Sequence, residues 1–429
     1  MSKSLKQLVR IAMSEAARVV IVVQLPFVVI TAFIVGAKRT LFPSQNRRIH
    51  FGGCGIINIK SWSEAARIAG FETRTIVWST PSIYPEDTFD VDLFKRFSSF
   101  AGVIAPSVFV RSIMRCRLVV CGFDGYILGI TPLRPIENWL LHLAKCKIIA
   151  APYGGDAYSY SSVRNENLQH ALQISYPEMA RKQDLVLKRV RKMTKQADFV
   201  IPGLMGFDGI GRWDVLTPSA LIIDTNQWAP LSKKHDSTEM RIAHAPNHRG
   251  FKGTEFLIRA VDELRAEGHN ISLRLFESVP NTLVREQLSK EIDVLVEQLI
   301  HTGYAMNGVE GLACGVVVVS NLEDDRILTP FRRWSFLSEC PIVSASPENI
   351  KSQLLELYNN PELRKKISLE SREYAIKRHS LLSFSRLITD VHDHLFGGRE
   401  SLINYYHPLM EKRDDLNHSG IRRIAANNE

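Results

Sequence analysis

Two cations and two glycines lie together in one loop, between an apolar run and the helical pattern TEFLIRAVDEL. Arg249 and Lys252 attract negative charge, while Gly250 and Gly253 let a ligand come close to the backbone N–H groups at a helix start. The loop therefore predicts a cradle for a diphosphate. The alternative is a solvated basic loop in which Thr254 caps the following helix.

A single carboxylate, Glu310, lies in the otherwise apolar, glycine-rich stretch 302–321. A buried carboxylate without a partner costs roughly several kcal/mol, so either the fold exposes Glu310 or a polar group meets it. We place Glu310 at the beginning of a short helix bracketed by Gly311 and Gly315, where the helix dipole favours negative charge. We expect it to accept hydrogen bonds from the hydroxyl groups of a ribose or another polyol. The alternative is simple capping of the helix.

Three loops in the first half of the chain also follow predicted strands. The flexible loop GGCG, with Gly53 and Gly55, is predicted to wrap a phosphate or a sugar, although it lacks the GxGxxG spacing of dinucleotide sites. Asp124 and Asp156 each follow a strand, and each is predicted to bind acceptor hydroxyl groups or to act as a catalytic base. The alternative for either aspartate is capping of its own loop.

These loops depend on a pattern of strands and helices that occurs twice along the chain. Short apolar runs alternate with amphipathic helices over 47–230, and the alternation restarts at Met240. This pattern predicts an α/β fold in which two Rossmann-like domains, 47–230 and 231–397, face each other. Ligands bind such sheets at the carboxyl ends of the strands, where the candidate residues lie. The polar residues 398–429 are predicted to form a basic tail.

The N-terminal segment, residues 1–46, contains a long apolar stretch. Residues 19–37 carry no charge, and as a helix they would reach about 28 Å, close to the thickness of a bilayer core. Basic residues flank both ends, so the positive-inside rule assigns no orientation. We expect a membrane anchor or a helix lodged in one leaflet. A buried core helix and a cleaved signal peptide are the alternatives.

The overall composition limits the class of partner. The 429 residues carry a net charge of +9, which suits phosphorylated ligands, an anionic membrane or nucleic acid, or reflects an unspecialised basic surface. The basic residues are dispersed and form no recognised nucleic-acid module, so we expect no nucleic-acid partner. The six cysteines include no CxxC pair, which predicts reduced thiols in a cytosolic compartment and no zinc site.

The order of motifs over 240–380 resembles the retaining GT-B glycosyltransferases of family 4. The quoted motifs are the KG loop before a helix, the DVLVEQ strand, GY followed by EGLACG and VVVVSN, and SPENI before the C-terminal helices. The resemblance is looser in the first half, where it rests on GGCG, YGGD and the order of strands. It implies that the basic loop neutralises a donor diphosphate and that a glutamate before a small helix holds the ribose.

Carried over to this sequence, the roles fall on named residues. Donor binding is expected from a set that lies in the basic loop and the EGLACG motif or flanks them: His244, Arg249, Lys252, Gly253, Gln298, Glu310 and Gly311. His244 and His248 flank the basic loop, and the alternative for each is a surface or capping role. The resemblance also implies that no metal and no cofactor is needed, since Arg and Lys neutralise the charge.

The sequence departs from the family at one position. The family usually has the spacing E-x7-E, and Thr302 stands where the first glutamate is expected. Some members instead carry a D/E-Q…G-Y pattern, which IDVLVEQLIHTGY resembles, so Glu297 or Gln298 is expected to compensate. The departure leaves the identity of the sugar open.

The resulting hypothesis is a hexosyltransferase-like, metal-independent enzyme of polysaccharide biosynthesis. It would move a sugar, with retention, from a nucleotide sugar to a lipid-linked (polyprenol) or cell-envelope glycan acceptor at the cytoplasmic face of the inner membrane. The donor is expected on the second domain and the acceptor near Gly53, Asp124 and Asp156. A sugar-nucleotide epimerase of the same architecture is one alternative. The other is an inactive glycan-binding or assembly protein, which Thr302 favours.

Overall fold

The computed structural model describes residues 15–43, 47–204, 206–231, 239–323, 325–398 and 400–406. The chain forms two compact units. The first holds the residues up to Ala157 together with Val186–Val200 and Phe384–Gly397, and the second holds Tyr158–Leu185, Ile201–Ser383 and the residues from Gly398 onward. Most of the predicted basic tail, 407–429, lies outside the described residues.

This division differs from the predicted domains in two places. Residues 158–185 and 201–230 belong to the second unit, because they share hydrophobic cores with it; Leu172, for example, packs in one cluster with Phe251. Residues 384–397 belong to the first unit, because Phe384 stacks on Trp62 with ring centroids 5.7 Å apart. Both departures are long-range packing, which a local change in composition does not reveal.

Each unit is built on a parallel sheet. The first sheet has the order β3-β2-β1-β4-β5-β6, and its strands are β1 (Arg48–Gly53), β2 (Glu72–Val77), β3 (Val91–Asp92), β4 (Leu118–Cys121), β5 (Lys147–Ala150) and β6 (Phe199–Val200). The second has the order β11-β10-β9-β7-β8, with β7 (Met240–His244), β8 (Ile271–Leu275), β9 (Val294–Gln298), β10 (Val317–Ser320) and β11 (Val343–Ser344). The predicted α/β class is confirmed.

The α-helices follow in chain order. They are α1 (Leu25–Leu41), α2 (Ile57–Ile68), α3 (Leu93–Phe97), α4 (Ala101–Ile113), α5 (Glu137–Leu143), α6 (Glu166–Ser175), α7 (Pro177–Arg181), α8 (Gln183–Gln196), α9 (Arg249–Lys252), α10 (Thr254–Ala266), α11 (Asn281–Lys290), α12 (Met306–Ala313), α13 (Asp325–Trp334), α14 (Ile350–Asn359), α15 (Pro361–Arg378) and α16 (Leu381–Gly397).

The apolar strands of the second unit bury both faces. In β9 and the stretch around β10, alternate residues point to opposite sides: Leu295 and Val318 join one core, while Val296 and Val319 join the other. Side chains buried on both faces are typical of parallel sheets covered by helices. Full burial of one such side chain contributes roughly 1.5–3 kcal/mol. The central strands are therefore a rigid base for the loops at their carboxyl ends.

Helix α1 packs along the first unit, against α4 and α5. Val28, Ala32 and Gly36, spaced by four residues, form its buried face. A Cβ atom on Gly36 would lie 2.0 Å from the carbonyl oxygen of Leu143, so only glycine fits there. The helical run 15–41 is long and apolar enough to cross a membrane, as is 93–113, and both are weak evidence for a span. One face of α1 thus matches the core-helix alternative, while the other face is exposed.

Candidate functional site

The basic loop lies at the carboxyl end of β7, where α9 leads into α10. Gly253 joins the two helices with a positive φ of 76°, and a Cβ atom there would lie 3.0 Å from Cβ of Leu299. The joint therefore requires glycine for both conformation and space. Thr254 is the first residue of α10, and its hydroxyl group is hydrogen-bonded to His244 Nε2 at 2.8 Å. The cap position is held by Gly253, not by Thr254.

Lys252 points into the protein. Its ammonium group is buried between the carboxylate of Glu297, which it contacts closely, and Oε1 of Gln298 at 2.8 Å. The amide of Gln298 in turn donates to the carbonyl oxygen of Gly303 at 2.8 Å. The structure thus brings together Lys252 and the two residues expected to compensate for Thr302. A buried pair of this kind fixes the position of its cation, because separating the charges is strongly unfavourable.

Arg249 behaves differently. Its guanidinium group is largely exposed and pairs with Glu255 at 2.8 Å and with Glu277 at 3.0 Å. Hydrogen bonds to these two carboxylates, Glu255 first, raise the pKa of Arg249. Ion pairs in contact with water are weak, so a bound anion can replace them. The loop therefore offers one fixed cation and one cation that is able to change partners.

Glu310 lies in the middle of α12 and not at its beginning. The helix starts at Met306, so Glu310 is its fifth residue and does not cap it. The expected helix start was therefore wrong: α12 begins after Ala305, and no side chain caps its first turn. The carboxylate accepts a hydrogen bond from Nδ2 of Asn281 at 3.0 Å. Burial, with a smaller contribution from Glu297, raises the pKa of Glu310 to about 7 although Asn281 opposes the shift.

Gly311 has a packing role. A Cβ atom on it would lie 2.6 Å from Cδ2 of Leu295 and 2.8 Å from Cγ2 of Val318. The missing side chain lets α12 lie directly on β9 and β10. Gly311 therefore sets the height of Glu310 above the sheet, and its expected contact with a donor stays a prediction.

The two histidines near the basic loop lie in different surroundings. His244 is buried, with Nδ1 2.7 Å from the carbonyl oxygen of Val296 and Nε2 on Thr254. Burial lowers its pKa to about 4, so the ring is neutral at pH 7. Both nitrogens are occupied, and this geometry does not favour the expected contact of His244 with a donor. His248 precedes α9 and meets the ring of Tyr176 edge-on, at 4.4 Å between centroids.

Thr302 is held by a residue far away in sequence. Its hydroxyl oxygen accepts a hydrogen bond from Nδ2 of Asn165 at 2.8 Å, and Oδ1 of Asn165 accepts from the N–H group of Leu168 at the start of α6. Next to Thr302, His301 is buried, and within the described part of the chain its ring nitrogens have no hydrogen-bond partner. Sequence reasoning missed both Asn165 and His301, for which no local pattern gives a signal.

The aspartates of the first unit lie close together at the carboxyl ends of β4 and β5. Oδ1 of Asp156 accepts from the N–H groups of Tyr153 and Gly154, both at 3.0 Å, and Oδ2 accepts from Phe123 N at 2.7 Å. Burial raises the pKa of Asp156 to about 7, with a smaller contribution from the nearby Asp124. Asp156 therefore organises its loop, as the capping alternative for this residue states.

Asp124 has fewer partners. Its Oδ2 accepts a hydrogen bond from the hydroxyl group of Tyr153 at 2.6 Å, while its Oδ1 is buried and unpaired within the described residues. Burial raises the pKa of Asp124. Arg189 and Arg134 lie near enough to oppose that shift. One oxygen of Asp124 thus has no partner among the described residues, whereas both oxygens of Asp156 are occupied, so Asp124 is the better of the two candidates for a base.

The glycine loop after β1 meets the loop that carries Asp124. Gly53 has a φ of 99°, and a Cβ atom there would lie 2.4 Å from the carbonyl oxygen of Gly125; at Gly55 it would lie 2.2 Å from that of Ser79. These glycines allow close packing of backbone on backbone. Sequence reasoning missed Glu137, whose carboxylate accepts from the N–H groups of Tyr126 and Leu128 at 2.9 and 2.5 Å and so shapes the loop after Asp124.

No group of three or more His, Cys, Asp or Glu side chains suited to a metal ion occurs within the described ranges. The expected independence from metal stays a prediction.

The sequence matches no protein-family model and no curated protein. Among solved structures, the glycosyltransferase from Rickettsia africae ESF-5 superimposes with a TM-score of 0.51 at 10% identity, covering 83% of this chain and 100% of that one. The fold is of the GT-B type. At 10% identity the likeness is one of fold. Membership of family 4 stays a prediction.

Two further structures match with lower TM-scores. Anabaena HepE in complex with UDP-glucose gives 0.47 at 11% identity, with coverage of 81% of this chain and 99% of that one. A putative UDP-N-acetylglucosamine 2-epimerase from Listeria monocytogenes gives 0.46 at 10% identity, with coverage of 83% and 98%.

Proposed function

We propose that this protein is a glycosyltransferase whose second unit binds a nucleotide sugar. The observation that carries the proposal is the environment of Glu310. Its carboxyl group is partly buried in the middle of α12, and its pKa lies near 7. Such a group destabilises the folded protein unless a ligand uses it, and perturbed carboxylates of this kind are concentrated at functional sites. A charged oxygen that accepts hydrogen bonds suits the hydroxyl groups of a ribose.

The basic loop supports the phosphate part of the same ligand. When the bond between the anomeric carbon and the diphosphate oxygen breaks, negative charge develops on the leaving diphosphate. Lys252 and Arg249 would stabilise that charge, and Arg249 is able to exchange its exposed carboxylate partners for it. The anomeric carbon forms its new bond to an acceptor hydroxyl oxygen, and the hydroxyl proton passes to a general base, the role proposed for Asp124. The resemblance to retaining enzymes implies that the configuration is kept.

For the acceptor we propose the loops of the first unit. Asp124 has an unpaired oxygen that would accept a hydrogen bond from an acceptor hydroxyl group. We propose a lipid-linked or cell-envelope glycan as acceptor, at the cytoplasmic face of the inner membrane, because α1 exposes an apolar face. A role in polysaccharide biosynthesis follows from that acceptor.

A calorimetric titration with UDP-, GDP-, ADP- and dTDP-sugars tests the donor part. We expect one nucleotide to bind the wild-type protein and to bind Glu310→Gln at least about tenfold more weakly. Glu286→Gln is the matched control, since Glu286 is an exposed glutamate paired with Lys290 in the same unit. The absence of binding to the wild-type protein would refute the proposal.

A second candidate, a nucleotide-sugar binding protein without turnover, is favoured by the contact between Thr302 and Asn165. Where related enzymes place a carboxylate near the transferred sugar, this chain has a hydroxyl group that is used for packing. Donor binding without transfer to any acceptor would support this candidate. Turnover of the donor without an acceptor would instead support an epimerase.

A further inference from the structure

The outer face of α1 is an exposed apolar surface of the first unit. Five of its side chains, Phe27, Ile30, Phe33, Ile34 and Leu41, are 57–71% exposed. The residues from 19 to 37 include no charged side chain that would make this face soluble. A contiguous apolar surface of this extent marks a site of interaction.

The opposite face fastens α1 lengthwise to the unit. Nε2 of Gln24 donates to the carbonyl oxygen of Val103 in α4, at 3.0 Å. The guanidinium group of Arg39 donates to the carbonyl oxygens of Ile113, Cys116 and Ala144 at 2.5, 2.7 and 2.6 Å. These oxygens lie at the ends of α4 and α5, where a helix leaves carbonyl groups without partners. Arg39 thus ties the ends of three helices together.

These contacts distinguish between two membrane geometries for α1, one that crosses the bilayer and one that lies in its plane. To cross a bilayer, α1 would have to detach from α4 and α5, which would break the hydrogen bonds from Arg39 to three carbonyl oxygens. It would also open the close contact of Gly36 with Leu143. If α1 stays packed on α4 and α5, it lies along the surface of the first unit. Only its exposed side chains then enter the bilayer.

The charge around the C-terminal end of α1 indicates what covers the outer face. Lys38 is exposed at that end of the helix. The neighbouring ends of α4 and α5, which Arg39 joins, carry the exposed basic residues Arg111, Arg115 and Lys145. An apolar helix face with a cationic border matches a leaflet that contains anionic lipids.

We propose that α1 lies in the plane of the membrane, with its outer face in one leaflet and its inner face on the first unit. In this geometry α1 holds the first unit to anionic lipid without crossing the bilayer. The inference builds on the membrane location proposed above, and it does not depend on the sugar chemistry.

Co-sedimentation with vesicles tests whether the outer face of α1 binds the membrane. The full-length protein is mixed with vesicles of phosphatidylcholine alone or with added phosphatidylglycerol, at low and high salt. We expect binding that is strongest on the anionic vesicles and is weakened by salt. The double variant Phe27→Ser, Phe33→Ser should partition at least tenfold more weakly. Leu185→Ser, Leu369→Ser is the matched control, since these leucines of the second unit are 62% and 68% exposed, and it should bind as the wild type does.

Two further measurements define the geometry. Alkaline carbonate should release the bound protein, because a seated helix does not span the bilayer; retention in the pellet would overturn the proposal. Lys38→Glu should bind anionic vesicles several-fold more weakly and neutral vesicles unchanged, and this variant removes no apolar contact if the serine variant does not fold.

The remaining outcomes are equally decisive. Unchanged vesicle binding by a folded serine double variant would overturn the proposal. So would a wild-type protein that ignores vesicles but forms a dimer which the double variant lacks, since the face would then belong to a second copy. Glu310→Gln should bind vesicles as the wild type does, so a failure of the donor proposal and a failure of this one remain distinguishable.

Discussion

Replacing Glu310 by glutamine should make the second unit more stable and less able to bind its ligand. The folded protein holds the Glu310 proton until about pH 7, whereas the unfolded chain releases it near the ordinary value of 4.5. The folded state therefore binds more protons than the unfolded state between these values, and the free energy of unfolding falls as the pH rises through them. The difference corresponds to at most about 3 kcal/mol above pH 7, since solvent screens a partly buried group.

Glutamine removes this penalty because it stays neutral in both states, while its amide oxygen still accepts from Asn281. At pH 8 we expect Glu310→Gln to raise the free energy of unfolding by up to about 3 kcal/mol, and at pH 4 to change it little. A charge-assisted hydrogen bond contributes roughly 1.5–3 kcal/mol, so affinity for the nucleotide sugar should fall about 10- to 150-fold.

Hydrogen exchange at the amides of β9 and β10 is the suitable assay, because it reads the second unit alone in a protein of two units. It should be measured at pH values on both sides of the transition and corrected for the intrinsic exchange rate. Glu286→Gln should show no gain at pH 8. Equal stability of Glu310→Gln and wild type at pH 8, with donor affinity retained, would refute the reasoning.

Three further changes separate structural from functional roles. In urea unfolding, Lys252→Met should lower the free energy of unfolding by about 3–5 kcal/mol, because Glu297 then lacks its cation. Adding Glu297→Gln should restore most of that free energy without restoring donor binding. Recovery of binding would contradict the role of Lys252 at the phosphate. In thermal unfolding, Asp156→Asn should lower the free energy of unfolding by about 1–3 kcal/mol. Asp124→Asn should lower it by less than about 1 kcal/mol and should abolish sugar transfer. Equal effects of the two variants would contradict the structural role of Asp156 and the functional role of Asp124. Arg39→Met should expose the α1 region to rapid proteolysis at constant donor affinity, and unchanged cleavage would show that α1 is held in another way.

Much of the fold follows from local patterns. Apolar runs such as LVVC and VVVS become central strands because only a doubly covered sheet buries them on both faces. The rule that ligand loops lie at the carboxyl ends of strands correctly places Gly53 near the loop of Asp124, and it places Asp124 beside Asp156. The same rule brings Lys252 to the end of β9.

The rest depends on contacts that no local pattern encodes. Asn165 and Thr302 are 137 positions apart, and neither belongs to a motif. The beginning of α12 was missed because no capping side chain marks it in the sequence. Glu137 is the first residue of α5, where a glutamate is expected to face solvent, yet its side chain is buried.

The return of residues 384–397 to the first unit has a consequence for synthesis. Phe384 and His394 pack on Trp62 and Phe199, so part of the first core is translated after the main segment of the second unit. The main segment of the second unit, 201–383, leaves the ribosome before that core is complete. The usual order, in which the N-terminal domain matures first, does not then apply, because the first unit is incomplete while most of the second unit is already synthesised. A premature stop after Ser383 would remove the aromatic contacts that α16 makes with the first core. During synthesis, the nascent chain would expose that aromatic surface to chaperones until α16 is translated.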